Sequence, residues 1–412
     1  MDCLNNLAGC LVAGGADPGL AQFISILLGV LAIAGFPLAL SILLIWVERK
    51  IAARVQDRLG PNRVGPWGIL QNLTDALKLM IKEDITPAGA DRVVYNLAPI
   101  IAVLSVVMIW AVVPFSPIHI GVDLDIGVLY FVAISSIGTL AIMMAGWSSN
   151  NKYALLGAFR VVAQLVSYEV PMVLALLVPV MLAGSMSMQD ITRAQIGMWF
   201  IVLAPVSALI FYISNLAETG RAPFDLIEAE SELVAGYNIE YSGMKFGLFM
   251  VNEFIHAFTA NLLFAVIFLG GWSGPGVEQV PFLGFVYLGI KVTLVYIPSL
   301  VLRATVPRVR IDQMMSFNWK ILVPVSIVNV VVMAFLYKVV QELGLSPSPE
   351  QATDFIANLP QAIILLLGNI LVLFGTATVL RNFLRRERMA LDIVPVDDAE
   401  DDLTPVSASA AH

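Results

Sequence analysis

Repeated apolar runs of about 20 residues are the feature of this sequence that most restricts its fold. A helix of that length crosses the hydrocarbon layer of a bilayer, where every backbone polar group must be bonded internally. Only 13% of the 412 residues are charged, against about 25% in soluble domains. The pattern predicts an all-α, polytopic membrane protein and excludes soluble, disordered and nucleic-acid-binding classes. We expect about nine transmembrane helices, at roughly 20–47, 97–114, 127–147, 165–184, 198–216, 246–272, 282–302, 321–337 and 361–380.

Basic residues are distributed unequally between the two sides of these helices. One side holds 20 of the 23 Lys and Arg residues, and cytoplasmic loops carry such an excess. The C-terminus is therefore expected in the cytoplasm and, with nine crossings, the short N-terminal segment 1–19 outside. Residues 20–381 are predicted to form a single membrane domain, and the acidic tail 382–412 to be disordered. The predicted cytoplasmic loops are 48–95, 149–165, 217–245 and 303–320.

The first cytoplasmic loop predicts a compact turn followed by a surface helix. Gly and Pro are dense at 60–66, which favours a non-helical loop. Beyond it, apolar residues recur at helical spacing from 69 to 81, with polar residues on the opposite face. This pattern predicts an amphipathic helix of about 14 residues along the membrane surface. It either anchors the loop or forms a lid for a site at that surface.

The loop at 217–245 is acidic although it lies on the basic side. Asp225, Glu228 and Glu232 are spaced i, i+3 and i+7, so on a helix they would share one face and repel each other. Apolar residues are interleaved with them, which indicates partial burial. Burial and like charge both raise carboxyl pKa values, so we expect some of these groups to exchange protons near neutral pH.

Ionisable residues inside the predicted spans form a second set of candidates. Each costs at least about 2.5–3.5 kcal/mol at bilayer depth and usually faces the protein interior with a function. Glu169 and Glu253 are such residues, and His256 lies three positions after Glu253 on the same helix face. Lys291 lies near the centre of a span and requires a carboxylate or carbonyl partner. These groups either tie helices together or form part of a proton path.

The sequence offers little for a redox or metal centre. Its two cysteines, Cys3 and Cys10, lie at the extreme N-terminus, so this chain alone builds no Fe–S or zinc site. It contains no phosphate-binding loop, nucleophile elbow or metal-ligand spacing. We therefore expect no metal site and no cofactor bound by this chain.

Long motifs in the loops resemble those of a known family. The chain is similar to the H subunits of bacterial NADH-quinone oxidoreductases, which form the membrane heel of respiratory complex I, from about residue 40 to about 340. It departs from the usual pattern at Asn72, Gly220, Phe254 and Ile227. The motifs are ERK at 48–50, GPNRVGP at 60–66, NKYALLGAFR at 151–160, SYEV at 167–170, AETGRAPFD at 217–225, EAESELVAGY at 228–237 and LRATVPRVRIDQ at 302–313.

The resemblance implies a non-redox subunit that forms the membrane side of a quinone chamber and couples quinone reduction to proton translocation. It implies a bacterial cell-membrane location, quinone as substrate, and FMN and Fe–S clusters in partner subunits. Expected partners are the hydrophilic Fe–S and quinone-site subunits and small membrane subunits leading to antiporter-like ones. Residues implied at the chamber or its subunit interface are Arg49, Arg58, Asp75, Arg221, Phe224, Arg303 and Arg308. Residues implied in proton coupling are Glu48, Glu169, Glu218, Asp225, Glu228, Glu230, Glu232, Glu240, Glu253 and Lys291.

Our hypothesis is that Glu228, Glu230 and Glu232 respond to the state of the quinone, while Glu169, Glu253 and Lys291 carry the response into the membrane. Three alternatives stay open. The chain could be the heel component of a related membrane hydrogenase or of a ferredoxin-linked or deazaflavin-linked dehydrogenase. It could also be a stand-alone cation/proton antiporter or a purely structural anchor.

Overall fold

A computed structural model describes residues 9, 11–12, 17–225, 234–345 and 355–392, with side chains of the last range given for 355–379 and 381. These residues form helices and one isolated bridge, Pro114 to Ile120, with no strand among them. The all-α prediction is confirmed. The helices are α1 Pro18–Val55, α2 Gln71–Ile81, α3 Arg92–Ile109, α4 Gly127–Ser148, α5 Lys152–Ala183, α6 Met188–Ala194, α7 Phe200–Leu203, α8 Pro205–Glu218, α9 Gly243–Phe268, α10 Phe282–Thr305, α11 Ile311–Phe317, α12 Val323–Glu342 and α13 Phe355–Asp392.

Eight helical segments of the described chain are long and apolar enough to cross a membrane. The predicted span at 198–216 is the exception, because α7 ends at Leu203 and α8 begins at Pro205. Ala204 has φ −137° and ψ 60°, since a residue before proline is disfavoured in the α-helical region. With α5 before it and α9 after it, this broken segment supplies the return crossing, so the crossings of the described chain total nine.

The two sides of the helix bundle differ in charge. We call the side on which α1, α4 and α10 end, and on which α3, α5 and α9 begin, the basic face, because it carries the Lys- and Arg-rich connections. The opposite side is the far face. On the far face, the Gln195 side chain donates to the Val266 carbonyl near the end of α9, 3.1 Å away. That bond joins the connection before α7 to the central helix of the bundle.

Packing places α9 at the centre and α1 at the edge. Among the candidate spans, α9 is the most buried and α1 the least, and α9 contacts α1, α3, α8 and α10. Lipid removes the hydrophobic drive between helices, so close approach depends on small residues and internal hydrogen bonds. At the α4–α5 contact, a Cβ on Gly146 would lie 2.3 Å from the Ala158 Cβ and 2.8 Å from the Ala154 carbonyl oxygen.

The surface helix is shorter than the apolar spacing predicts. α2 covers 11 residues instead of about 14, because a 3-10 turn at Pro66–Gly68 precedes it. Trp67 has φ 53° and Gly68 has φ 80°, so the chain is not α-helical before Ile69. The apolar side chains of Leu73, Leu77 and Met80 are exposed, as expected of a helix at the bilayer surface.

Some segments predicted as loops or tail are helical. α5 begins at Lys152 with the Asn151 side chain accepting from the Tyr153 N–H, 2.9 Å away, so most of 149–165 is helix. α11 and a π-helical segment, Asn318–Leu322, occupy part of 303–320. α13 continues to Asp392, and residues 393–412 lie outside the described part. The predicted spans end at charged residues, which mark the edge of the hydrocarbon layer. The helices themselves continue past that edge, so they are longer than the predicted spans.

Gly146→Ala is expected to destabilise the protein by about 1–3 kcal/mol, because the new methyl group has no space between α4 and α5. Gly289→Ala on α10 is the matched control, since a Cβ there meets no atom within 4 Å. Thermal unfolding of the detergent-solubilised protein measures both. Equal midpoints for the two variants would contradict the tight α4–α5 contact.

Candidate functional site

Charged residues from α1, α9, α10 and the segment after α8 meet near the basic face. Consecutive spans run in opposite directions, so positions far apart in sequence come to one depth. We call Glu48, Arg221, Glu253 and Arg303 the Glu48 cluster. An Arg221 Nη1 donates to Glu48 Oε2, 2.7 Å away, and an Arg303 Nη1 donates to Glu48 Oε1. Arg303 Nη2 lies 3.8 Å from Glu253 Oε1.

Arg221 is the most buried cation of the cluster, with 1% of its side chain exposed. Burial acts to lower its pKa, but the charges of Glu48 and Glu253 act in the opposite direction and raise the pKa above its usual value. The guanidinium therefore stays protonated. It also lies over the Phe254 ring, 5.8 Å from the ring centroid. Removing one partner from such a buried pair leaves an uncompensated charge, which costs about 3–5 kcal/mol.

A cavity of about 50 Å³, lined by both apolar and polar side chains, lies deeper, among α3, α4, α5, α8 and α9. Glu218 at the end of α8 and His256 at the middle of α9 face it, with Glu218 Oε1 3.7 Å from His256 Nε2. Glu253 lines the same cavity. About 10–15 Å³ is enough for one water molecule when polar partners are present. The cavity therefore has room for water between these ionisable groups.

Glu169 approaches this cavity from α5. Its Oε1 accepts a hydrogen bond from Ser136 Oγ on α4, 3.0 Å away, and the neighbouring Ser135 and Gly138 line the cavity wall. Glu169 also interacts electrostatically with Glu218. The structure thus brings Glu169, Glu218 and Glu253 around one region, and Arg303 connects Glu253 to Glu48.

The surface helix is attached to α1 by polar contacts. Arg49 Nη1 lies 2.7 Å from Asp75 Oδ2 and 3.2 Å from Asn72 Oδ1, and Asn72 Nδ2 donates to the Ile42 carbonyl 2.6 Å away. Burial raises the pKa of Asp75, but hydrogen bonds from Arg49 and Gln71 lower it more, so the pKa lies below its usual value. Asp75 is charged at neutral pH, and the stability from this pair is lost only in acid.

The segment after α8 is held by Gln164 on α5. Its Nε2 donates to the Ala217 carbonyl at 2.6 Å and to the Phe224 carbonyl at 2.9 Å, which fixes both ends of a short turn. The Phe224 ring is buried, with its centroid 5.5 Å from that of Tyr168. Asp225 follows, half-buried. Gly220 has φ 61° within this turn, a conformation that a residue without Cβ adopts at no steric cost.

Other predicted site residues lie elsewhere. Lys291 donates to the carbonyls of Gly270 and Ser273, at 3.3 and 2.8 Å, near the far face, and lies over the Trp199 ring. It has the predicted carbonyl partners, but it precedes Arg303 on α10 by 12 residues, which is about 18 Å of helix. Arg58 bonds to Gln56, Glu240 accepts from Asn151, and Arg308 is exposed. Glu228, Glu230 and Glu232 lie outside the described residues.

The sequence reasoning missed the amides and hydroxyls that support these groups. Gln164 holds the turn that carries Arg221, Asn72 holds the surface helix, and Ser136 binds Glu169. Asn252 Oδ1 is buried beside the cavity without a partner among the described residues. The sequence did contain a signal for such residues, namely an Asn or Gln within an apolar run. A buried amide requires hydrogen-bond partners, so it indicates a polar contact inside the bundle.

One protein-family model matches most of this chain. A family model described as NADH dehydrogenase matches residues 27–334. The match includes the Glu48 cluster and every residue named above that lines the cavity. It ends within α12 and leaves α13 outside.

Individual relatives agree with the family match. The chain is 47% identical over 313 residues to the H subunit of NADH-quinone oxidoreductase from Dehalococcoides mccartyi strain CBDB1, covering 76% of this chain and 87% of that protein. It is 46% identical over 297 residues to the H subunit of the same enzyme from Anoxybacillus flavithermus, covering 71% and 88%. It is also 46% identical over 319 residues to the one from Carboxydothermus hydrogenoformans, covering 76% and 91%.

Glu48→Gln is expected to lower the free energy of unfolding by about 3 kcal/mol or more, because Arg221 loses its charged partner while buried. Asp75→Asn removes one carboxylate from a more exposed pair and should cost about 0.5 kcal/mol. Thermal unfolding of the solubilised protein compares the two. Similar shifts for both variants would show that burial does not strengthen the dependence of Arg221 on Glu48.

Proposed function

Because the chain belongs to the NADH dehydrogenase family, whose named relatives are H subunits of NADH-quinone oxidoreductase, we propose that it forms the membrane side of a quinone chamber and couples quinone reduction to proton translocation. It is a multi-pass membrane subunit of that respiratory enzyme complex. The proposal concerns what its own side chains do there. We infer that the FMN and Fe–S clusters belong to partner subunits.

The observation that carries the proposal is the convergence of Glu218, Glu253 and His256 on one cavity, with Glu169 bonded to Ser136 beside the cavity wall. Ionisable groups at this depth are costly, and a shared cavity with room for water would give them a route for proton exchange. Three such groups around one cavity, with a fourth beside its wall, support a proton path better than four separate links between helices.

The Glu48 cluster supports a connection from this cavity to the basic face. Glu48 binds Arg221 and Arg303, and Arg303 also lies near Glu253, 3.8 Å away. Reduction of a quinone to quinol takes up two protons, or leaves negative charge until they arrive. A change of charge near these arginines would alter their attraction for Glu48 and Glu253, and hence the proton affinity of the carboxylates.

For the chamber itself, the chain supplies a surface suited to an amphipathic substrate. The apolar side chains of Leu73 and Leu77 are exposed on α2, and the ion pair of Asp75 with Arg49 joins this helix to α1. A quinone combines an apolar tail with a polar head, and these two surfaces match its two parts. Arg58 and Arg308 are assigned to the chamber entrance or to the interface with hydrophilic subunits, since both are exposed near the basic face.

The acidic loop is proposed as the element that responds to the quinone, through Glu228, Glu230 and Glu232. Both flanks of the loop are fixed. Gln164 binds the flank before it. On the flank after it, Tyr95 donates to the Glu240 carbonyl at 2.7 Å and Asn151 to the Glu240 carboxylate at 2.6 Å. Fixed flanks would transmit a charge change in the loop without large displacement of the helices.

The two faces of the helix bundle are assigned to opposite sides of the membrane and to different partners. The basic face is assigned to the cytoplasm by its excess of Lys and Arg, where hydrophilic Fe–S subunits would dock. The exposed apolar surface of α1 is available to lipid and to the small membrane subunits that lead to antiporter-like ones. Lys291, near the far face, is kept as a proposed member of the proton path, where the carbonyls of Gly270 and Ser273 hold its ammonium group.

Glu218→Gln and Glu253→Gln in the assembled complex should each lower the number of protons pumped per electron by about twofold or more, because a general acid–base group is removed from the path. NADH-driven quinone reduction should fall less. Proton uptake into inverted membrane vesicles, measured together with NADH oxidation, gives the ratio. Glu342→Gln is the control, since that carboxylate is exposed at the end of α12 and pairs only with Lys338 among its described contacts.

Normal quinone reduction together with normal pumping in both variants would contradict the proton-coupling role. A purified chain that transports cations by itself would favour the antiporter alternative instead.

A further inference from the structure

The break between α7 and α8 leaves backbone polar groups without helical partners inside a membrane-spanning segment. Ala204 is non-helical, and Pro205 has no N–H to donate. In a bilayer such groups must be satisfied by other parts of the protein.

Asn369 on α13 binds the backbone on both sides of the break. Its Nδ2 donates to the Leu203 carbonyl, 3.0 Å away, and its Oδ1 accepts from the Val206 N–H at 3.3 Å. Nδ2 also donates to Leu365 of its own helix at 2.8 Å, which fixes the orientation of the amide. The side chain is 1% exposed. A single asparagine thus joins the last residue of α7 to the first turn of α8.

A second buried asparagine reaches the same segment from the neighbouring span. Asn329 on α12 donates from Nδ2 to Ser207 Oγ, 2.7 Å away, and neither residue is exposed. α13 packs against α12, α7 and α8. Two amides from adjacent helices therefore converge on the start of α8, although none of these contacts involves a charged group.

The other end of α8 carries the candidate site. From Pro205 to Glu218 the helix is 14 residues long, which is about 20 Å of rigid rod. Glu218 is its last residue, and Arg221 follows in the turn that Gln164 holds. A shift or rotation of α8 at its first turn moves Glu218 relative to His256 and the cavity.

We propose that Asn369 is a positioning residue for the proton-coupling site, because it fixes the start of α8 and thereby the placement of Glu218. The last span, which lies beyond the family match at 27–334, is then part of the coupling apparatus of this chain. This inference rests on the proposed function, since it assigns the coupling role to Glu218.

The test uses three variants in the assembled complex. Asn369→Leu removes the hydrogen bonds at similar volume, and Asn369→Gln keeps both the donor and the acceptor. Thr378→Val is the control, because Thr378 is exposed on the same helix and bonds only to Gly375 among its described contacts. The measurements are amide hydrogen exchange of the segment 203–212, and protons pumped per electron.

In Asn369→Leu, exchange at Val206 should be about fivefold faster, the effect of losing one hydrogen bond. The proton-to-electron ratio should fall by about twofold or more, because a displaced acid transfers protons poorly. Asn369→Gln should recover most of both values, and Thr378→Val should change neither. If Asn369→Leu does not assemble, Ser207→Ala, which removes the Asn329 bond at the same segment, should change both measurements in the same direction.

An unchanged exchange rate in Asn369→Leu would overturn the inference, as would pumping and quinone reduction that fall in proportion with an unchanged ratio. Glu218→Gln, measured beside it, separates the two proposals. If Glu218→Gln lowers the ratio and Asn369→Leu does not, only the positioning role fails. If Glu218→Gln leaves the ratio normal, the coupling role proposed for Glu218 fails, whatever the exchange rate at Val206.

Discussion

The pairing of Glu48 with Arg221 and Arg303 is the interaction on which the basic face of this protein depends. The three residues come from α1, the turn after α8, and α10, and both carboxylate oxygens of Glu48 are used. α1 is the least buried candidate span, so this pairing attaches a peripheral helix to the core. Because Arg221 is buried, separating it from Glu48 would leave an unpaired charge in the protein interior and destabilise the fold. The helix ends are therefore held at defined relative positions.

The same arrangement organises the deeper acids. Arg303 is shared between Glu48 and Glu253, and Glu253 lines the cavity that Glu218 and His256 also face. A charge introduced beside the arginines would therefore act on Glu48 at the basic face and on Glu253 at the cavity. Neutral side chains position these charged groups. Gln164 holds the turn that carries Arg221, and Ser136 donates a hydrogen bond to Glu169. Charged groups perform the proposed chemistry, while amides and hydroxyls determine where those groups lie.

Much of this could be predicted from the sequence, because apolar runs report helices directly and charges inside them are too costly to be accidental. The spacing of Glu253 and His256 placed both on one face, and both line the cavity. What could not be predicted depends on contacts between distant segments. Nothing near Glu169 in sequence indicates Ser136 as its partner. A carbonyl partner for Lys291 could be predicted, but not that these carbonyls lie near the far face, away from the other candidates. The break at Ala204 was hidden because the residues around it, 198–206, are apolar, although Pro205 marked the position.

The central claim is that the protonation of the cavity carboxylates changes with the redox state of the quinone. Infrared difference spectra of the assembled complex, recorded between oxidised and reduced quinone, report the carboxylic acid C=O stretch directly. A carboxyl band should appear or shift on reduction in the native complex and be absent in the Glu218→Gln complex. Identical spectra for the two complexes, with quinone reduction intact in both, would contradict the claim.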